Sequence, residues 1–243
     1  MLRVKLIGCG GIGGHLAPNL CQFLYAERRP AHLVLCDGDR YEASNRGRMR
    51  VTRVGDSKAE ALAAMLAAEW GEVVSVEALP VYLDAERVSV IEAGDVVLLA
   101  VDNHATRKLV DDHCAGLDSV TLVSGGNDGI TDGQDGTYGN VQIARRADGR
   151  WITSSLQRLH PEIRTPGDKL PTELGCEALA VQGAPQLLVT NVAVASAMLN
   201  AVLGVLRGTL DYEEVYVDVA RNRVVPVSRG APGVTAPGSA GTP

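Results

Sequence analysis

Four glycines in six residues, Gly8-Cys9-Gly10-Gly11-Ile12-Gly13, follow a short apolar run (Val4 to Ile7) and lead into a helix-patterned segment. Glycines at such a turn let the backbone approach a phosphate closely. The helix that follows offers unpaired N–H groups and the positive end of its dipole. A second apolar run, His32 to Cys36, ends on Asp37, whose carboxylate can accept hydrogen bonds from ribose hydroxyls. Alone, this strand-turn-helix fits any dinucleotide enzyme, and the glycines could serve only close helix–strand packing.

The next hundred residues alternate in the same way. Apolar residues at helical spacing run from Ile12 to Tyr25, with Pro18 expected to kink that helix or delay its start. Gly38 to Arg53 reads as a loop carrying Arg46, Arg48, Arg50 and Arg53. Asp56-Ser57-Lys58 caps a helix over Ala59 to Glu69, and a third strand covers Val73 to Ala78. A short crossover helix is expected over Asp84 to Ala93. The unbroken apolar run Asp95 to Val101 then has the character of a central strand buried on both faces. It ends in Asp102-Asn103, before a helix (Ala105 to Cys114) and a strand (Ser119 to Val123). Such alternation implies right-handed crossovers and an α/β fold, a doubly wound Rossmann-like and mostly parallel sheet. Gly13, Asp37 and Asp102 all follow strand ends, so one crevice can collect them.

Beyond residue 124 the pattern changes. A Gly/Asp-rich loop precedes a strand over Asn140 to Arg145, and Arg150 to Leu174 reads as a polar connection, part of a mobile loop at about 146–182. A helix is expected over Gln186 to Leu206. Thr190, Asn191, Ser196 and Asn200 mark it as a core helix rather than a membrane span. Tyr212 to Val219 and Arg223 to Val227 suit an antiparallel C-terminal hairpin. Residues 1–228 thus read as one domain, and the Pro/Gly-rich 229–243 as a disordered tail.

Net charge of −6 argues against nucleic acid as the main partner. Five cysteines without a CxxC pair suggest reduced thiols and no zinc. With neither a signal peptide pattern nor a membrane span, the expectation is a cytoplasmic protein with no membrane partner.

The ordered motifs resemble the ThiF/MoeB/ubiquitin-activating superfamily. They are the glycine turn, Asp37-Gly38-Asp39, Ser44-Asn45-Arg46-Gly47-Arg48, Lys58, and Asp102-Asn103 with Arg107. Size and single-domain form resemble the ThiF-type protein of bacterial plasmid PRTRC cassettes. Members of the superfamily adenylate the C-terminal glycine of a ubiquitin-like or sulfur-carrier protein. The resemblance therefore implies ATP and Mg²⁺ as cofactors, a partner with a Gly-Gly tail, and a homodimer. Gly8, Gly10, Gly11, Gly13, Asp37, Asp39, Asn45 and Asn103 match nucleotide-binding positions. Arg48 and Lys58 match the phosphate-contacting positions, and Asp102 the Mg²⁺ ligand. Cys176, ahead of the last long helix, matches a cysteine that takes the acyl group as a thioester in some members.

The chemistry is consistent with that reading. A carboxylate attacking the α-phosphate of ATP needs cations on the phosphates and a metal-binding carboxylate. A lysine at a helix start opposes the dipole and so calls for a reason. Blander roles remain: Asp102 as a helix cap, Cys176 as a plain loop thiol. Two departures stand out: the two CxxC pairs that hold zinc in many members, and an N-terminal helix whose arginine enters the partner's site. Arg46 or Arg50 could substitute for that arginine. Rival readings are a tRNA carbamoyl-adenosine dehydratase-like enzyme, an inactive nucleotide-binding relative, and an NAD-dependent oxidoreductase. The last leaves Asn45, Arg48, Lys58 and Asp102 unexplained.

Overall fold

The computed structural model describes residues 1–174 and 185–228. Five parallel strands form its first half: β1 (Leu2–Ile7), β2 (Ala31–Cys36), β3 (Val74–Leu79), β4 (Val96–Leu99) and β5 (Val120–Asn127). They are joined through helices α1 (Gly11–Ala26), α2 (Lys58–Trp70) and α3 (His104–Ala115). A small hairpin, β6 (Ile130–Thr131) with β7 (Gln134–Asp135), leads to β8 (Tyr138–Ala147) and β9 (Arg150–Trp151). The short helix α4 (Leu156–Leu159), the long helix α5 (Leu188–Arg207) and strands β10 (Tyr212–Asp218) and β11 (Arg223–Ser228) complete the described fold.

Among the described residues nine strands form one sheet, in the order β3-β2-β1-β4-β5-β8-β10-β11, with β9 paired to β8. The pairs from β3 to β5 are parallel, and those from β5 through β11 antiparallel. The chain winds outward from β1 to β3, then restarts on the other side at β4. The strand ends between β1 and β4 are therefore a topological switch point.

The sheet divides two cores. Val4 and Leu6 of β1, with Val96 and Leu98 of β4, pack with α1, α2 and α5; Ile7, Val97 and Leu99 pack on the opposite face with α3, α4 and Leu83. All four residues of β4 are buried, which accounts for its unbroken apolar run. Helix α5 is long and apolar enough to cross a membrane by length and composition. In the fold it lies against α1, β5 and β8, with Val194, Met198 and Ala201 fully buried. It approaches closely because Gly125 and Gly139 lie beneath it: a Cβ there would come within 2.3 Å of Met198 Sδ and 2.4 Å of Val194 Cγ2.

Several local expectations need correction. Helix α1 begins at Gly11 and runs through Pro18, so its start is not delayed. The crossover helix expected over Asp84 to Ala93 is a 3₁₀ turn, Arg87–Val90. Asp84 Oδ1 accepts the backbone N–H groups of Glu86 and Arg87, and Val88 and Ile91, three residues apart, turn into the core. That spacing suits one tight turn. The Gly/Asp-rich stretch is partly strand, since β5 extends to Asn127 and pairs there with Gly139. The described part of the expected 146–182 loop holds β9, α4 and two 3₁₀ turns, anchored by buried Leu156 and Ile163. Cys176 and residues 229–243 lie outside the described residues.

Candidate functional site

A cleft of about 810 Å³ opens over the switch point and continues across β8 towards β10. Its first wall is the glycine turn. Gly8 has φ +92°, and a Cβ on it would come within 2.6 Å of Ala100 O, so only glycine fits between β1 and β4. Gly10 caps α1 and faces open space, and Gly10 and Gly11 both line the cleft. Gly13 does not line it. A Cβ there would sit 1.9 Å from Gly8 O, which makes Gly13 the contact that seats α1 on β1.

Asp37, at the end of β2, binds this turn to the following loop. Its Oδ2 accepts the Cys9 N–H at 2.6 Å and its Oδ1 the Asp39 N–H at 2.8 Å. Burial pushes the carboxyl up to about 6, against the opposing pull of the Lys58 ammonium. Lys58 is the first residue of α2, buried, with Nζ 2.7 Å from Asp39 Oδ2. Burial alone would lower its pKa, but Asp37 and Asp39 outweigh that and raise it. The two carboxylates thus hold a cation where the helix dipole opposes one.

Arg48 lines the cleft, and its backbone carbonyl accepts a hydrogen bond from His15 Nε2 of α1 at 3.1 Å. Asp102 is exposed at the lip, just past β4. Asn103 caps α3, its Oδ1 accepting the Thr106 N–H at 2.7 Å. Gly8, Gly10, Gly11, Asp37, Asp39, Arg48, Lys58, Asp102 and Asn103 therefore share one cleft. Asn45 lies off its wall, buried, with Oδ1 accepting the Glu42 N–H at 3.0 Å. Arg46, Arg50 and Arg53 are exposed and do not line the cleft.

Of the other residues here, Arg107 belongs to the ordered motifs, while Tyr82, His160 and Asp168 carried no sequence signal. Tyr82 donates to Asp39 Oδ1, and its ring packs over Gly38. Arg107 is buried and donates to Ser124 Oγ (2.7 Å), Val101 O (2.8 Å) and Gly125 O (2.9 Å), pinning β4's end to β5; burial pushes its pKa down to about 10. His160, which no ligand-like spacing singled out, has Nε2 2.5 Å from Glu214 Oε1 and Nδ1 2.9 Å from Glu162 Oε1. Both nitrogens can donate only in the imidazolium form. Burial would lower the histidine's pKa, but the two glutamates outweigh it and raise it. The Asp168 carboxylate accepts the first N–H groups of α3, His104 and Ala105.

At one end the cleft presents helix N–H groups, two cations and an exposed carboxylate, a set suited to a polyphosphate and its metal. Among the described residues no group of three or more His, Cys, Asp or Glu has metal-site geometry. A single exposed carboxylate is compatible with Mg²⁺ that keeps its waters and phosphate oxygens. The other end is floored by antiparallel strands.

Fold and cleft together define a doubly wound α/β protein with its ligand crevice at the switch point. A ThiF family model matches residues 1–223, and the chain belongs to the ThiF family. The SAMP-activating enzyme E1 of Haloferax volcanii is 39% identical over 127 residues, which cover 51% of this chain and 44% of that protein. The chain thus matches under half the length of that relative. Crystal structures of E. coli MccB share the fold. The one with ATP has a TM-score of 0.68 at 14% identity, and the one with MccA-N7isoASN has 0.69 at 14%. Both cover 97% of this chain and 66% of the MccB chain.

Proposed function

We propose that the chain is an ATP- and Mg²⁺-dependent adenylyltransferase that activates the C-terminal glycine carboxylate of a small ubiquitin-like or sulfur-carrier protein. The observation that carries this reading is the convergence of Asp37, Arg48, Lys58 and Asp102 around the glycine turn, in a cleft with room beyond them. The relative named for SAMP activation and the MccB structures with ATP and with an MccA derivative support it.

In this reading Asp37 orients the ribose, and the first N–H groups of α1 face the phosphates. Arg48 and Lys58 offset the charge that gathers as the substrate carboxylate bonds to the α-phosphorus and the bond to pyrophosphate breaks. Asp102 would hold Mg²⁺, which supplies further charge neutralisation on the phosphates. The attacking carboxylate is already ionised, so the step needs no general base. A Gly-Gly tail would lie over β8 and β10. The Cys176 thiolate would attack the acyl-adenylate carbonyl, forming a thioester as the acyl–phosphate bond breaks and AMP leaves. A homodimer would cover Leu188, Val189 and Val192, the exposed apolar residues of α5.

ATP–pyrophosphate exchange with Mg²⁺, with and without Gly-Gly-tailed proteins, tests the reading. Exchange that requires such a protein and disappears in Lys58→Ala and Asp102→Ala supports it. Exchange that survives both changes overturns the assigned roles. ATP binding without exchange for any candidate points to an RNA substrate or an inactive relative.

A further inference from the structure

Lys58 and Asp39 pose a problem for a nucleotide site. One of the three donors of the Lys58 ammonium serves the Asp39 carboxylate at 2.7 Å, so a phosphate that draws the ammonium towards itself lengthens that pairing. If it simply left, two carboxylates would remain close together, Asp39 and the buried Asp37, whose ionised form burial already disfavours.

Asp39 has a second partner. Its Oδ2 faces Lys58, while Oδ1 accepts a hydrogen bond from the Tyr82 hydroxyl. Tyr82 follows β3, lines the same cleft, and reaches Asp39 by laying its ring over Gly38. A Cβ at Gly38 would come within 2.6 Å of the ring, so this approach depends on that glycine. Burial first, then Asp39, drives the phenol's pKa far above its ordinary value, so it stays a donor at every working pH. The Asp39 side chain is also 46% exposed, so water can reach the carboxylate.

We propose that Tyr82 is a positioning residue of the nucleotide site: its hydroxyl holds the Asp39 carboxylate in place while Lys58 moves from Asp39 to a phosphate oxygen. A neutral donor satisfies the anion without competing for phosphate, which a second cation would do. This inference rests on the nucleotide reading of the cleft and names a residue that reading does not use.

The test is calorimetric titration of the full chain with Mg²⁺ and a non-hydrolysable ATP analogue, and separately with adenosine. The proteins are the parent, Tyr82→Phe, Asp39→Asn and the double variant. Phenylalanine keeps the ring over Gly38, and a melting temperature within about 2 °C of the parent verifies the fold. Loss of a hydrogen bond to a charged group should weaken binding of the ATP analogue about tenfold in Tyr82→Phe. Adenosine, which has no phosphate for Lys58, should bind unchanged. On the Asp39→Asn background the same change should cost about twofold or less, because no carboxylate is left to hold.

Equal losses on both backgrounds, equal losses for adenosine and the ATP analogue, or an unaffected Tyr82→Phe would each overturn the proposal while leaving the nucleotide reading intact. A parent chain that binds no ATP analogue would overturn both.

Discussion

Asp168 caps the helix that begins at His104: one carboxylate oxygen lies 2.8 Å from His104 N, the other 2.8 Å from Ala105 N. The relationship is returned from the same helix. Asp111, near the far end of α3, accepts the N–H groups of Leu156 and Gln157 at the start of α4, at 3.1 and 3.2 Å. Helix α3 and the segment after β9 therefore satisfy each other's orphan donors, and Ile163 packs beneath them.

Removing one half of that arrangement should loosen the segment. Asp168→Ala is expected to cost about 1 kcal/mol of stability and to speed tryptic cleavage at Arg158, Arg164 and Lys169. Asp168→Asn, which keeps one acceptor, should fall between. Cleavage rates identical in all three proteins would refute this.

The glycines of the turn should separate by role. Gly13→Ala places a methyl 1.9 Å from Gly8 O and should cost about 3 kcal/mol or more in urea unfolding. Gly10→Ala meets nothing within 4 Å, so stability should stay within about 0.5 kcal/mol of the parent. Because Gly10 lines the cleft, its methyl should instead weaken nucleotide binding. Chemical denaturation paired with titration checks both halves.

Asp37 should give binding an acid limb. Its carboxyl is raised to about 6, so the ionised acceptor that the ribose reading requires is lost as pH falls through that value. Nucleotide affinity should drop several-fold between about pH 7 and 5 in the parent, while Asp37→Asn binds weakly with no such limb. A shared acid limb would assign the titration to another group.

His160 should contribute stability with the opposite slope. Its folded pKa lies above the ordinary value, so the native state holds the proton more tightly than the unfolded chain. The stabilisation is complete below the unfolded value of about 6.5 and is lost as pH rises through the folded one. Urea midpoints from pH 6 to 9 should fall more steeply for the parent than for His160→Gln. Parallel slopes would remove the imidazolium from the account.

What the sequence disclosed follows chain order. In the parallel half Asp37 and Asp102 stand where a strand ends, so strand-helix periodicity places them at the crevice without knowledge of any contact. Arg48 and Lys58, on the long connection after β2 and at the start of α2, were instead marked by the ordered motifs. The antiparallel hairpin of β10 and β11 was legible for a similar local reason: alternation around a short turn. Contacts that join distant segments have no period. Tyr82 reaches back 43 residues to Asp39, and His160 forward 54 to Glu214. Asp168 meets a helix start 64 residues earlier. Asn45 illustrates the converse, a motif residue whose side chain serves the loop's own turn. The helix expected at Asp84 to Ala93 failed because three apolar residues in a short span fit a 3₁₀ turn as readily as one and a half α turns.

The junction where β5 turns from a parallel neighbour to an antiparallel one has a consequence for synthesis. A nascent chain that has emerged only as far as Asn127 holds all five parallel strands, yet one side of β5 lacks the β8 partner that pairs with it along eight residues. Val120, Leu122 and Val123 of that strand, buried in the finished fold, then stand on an unguarded edge open to another chain. Ribosome stalling or truncation near this point would thus leave the protein open to strand-by-strand aggregation along that edge.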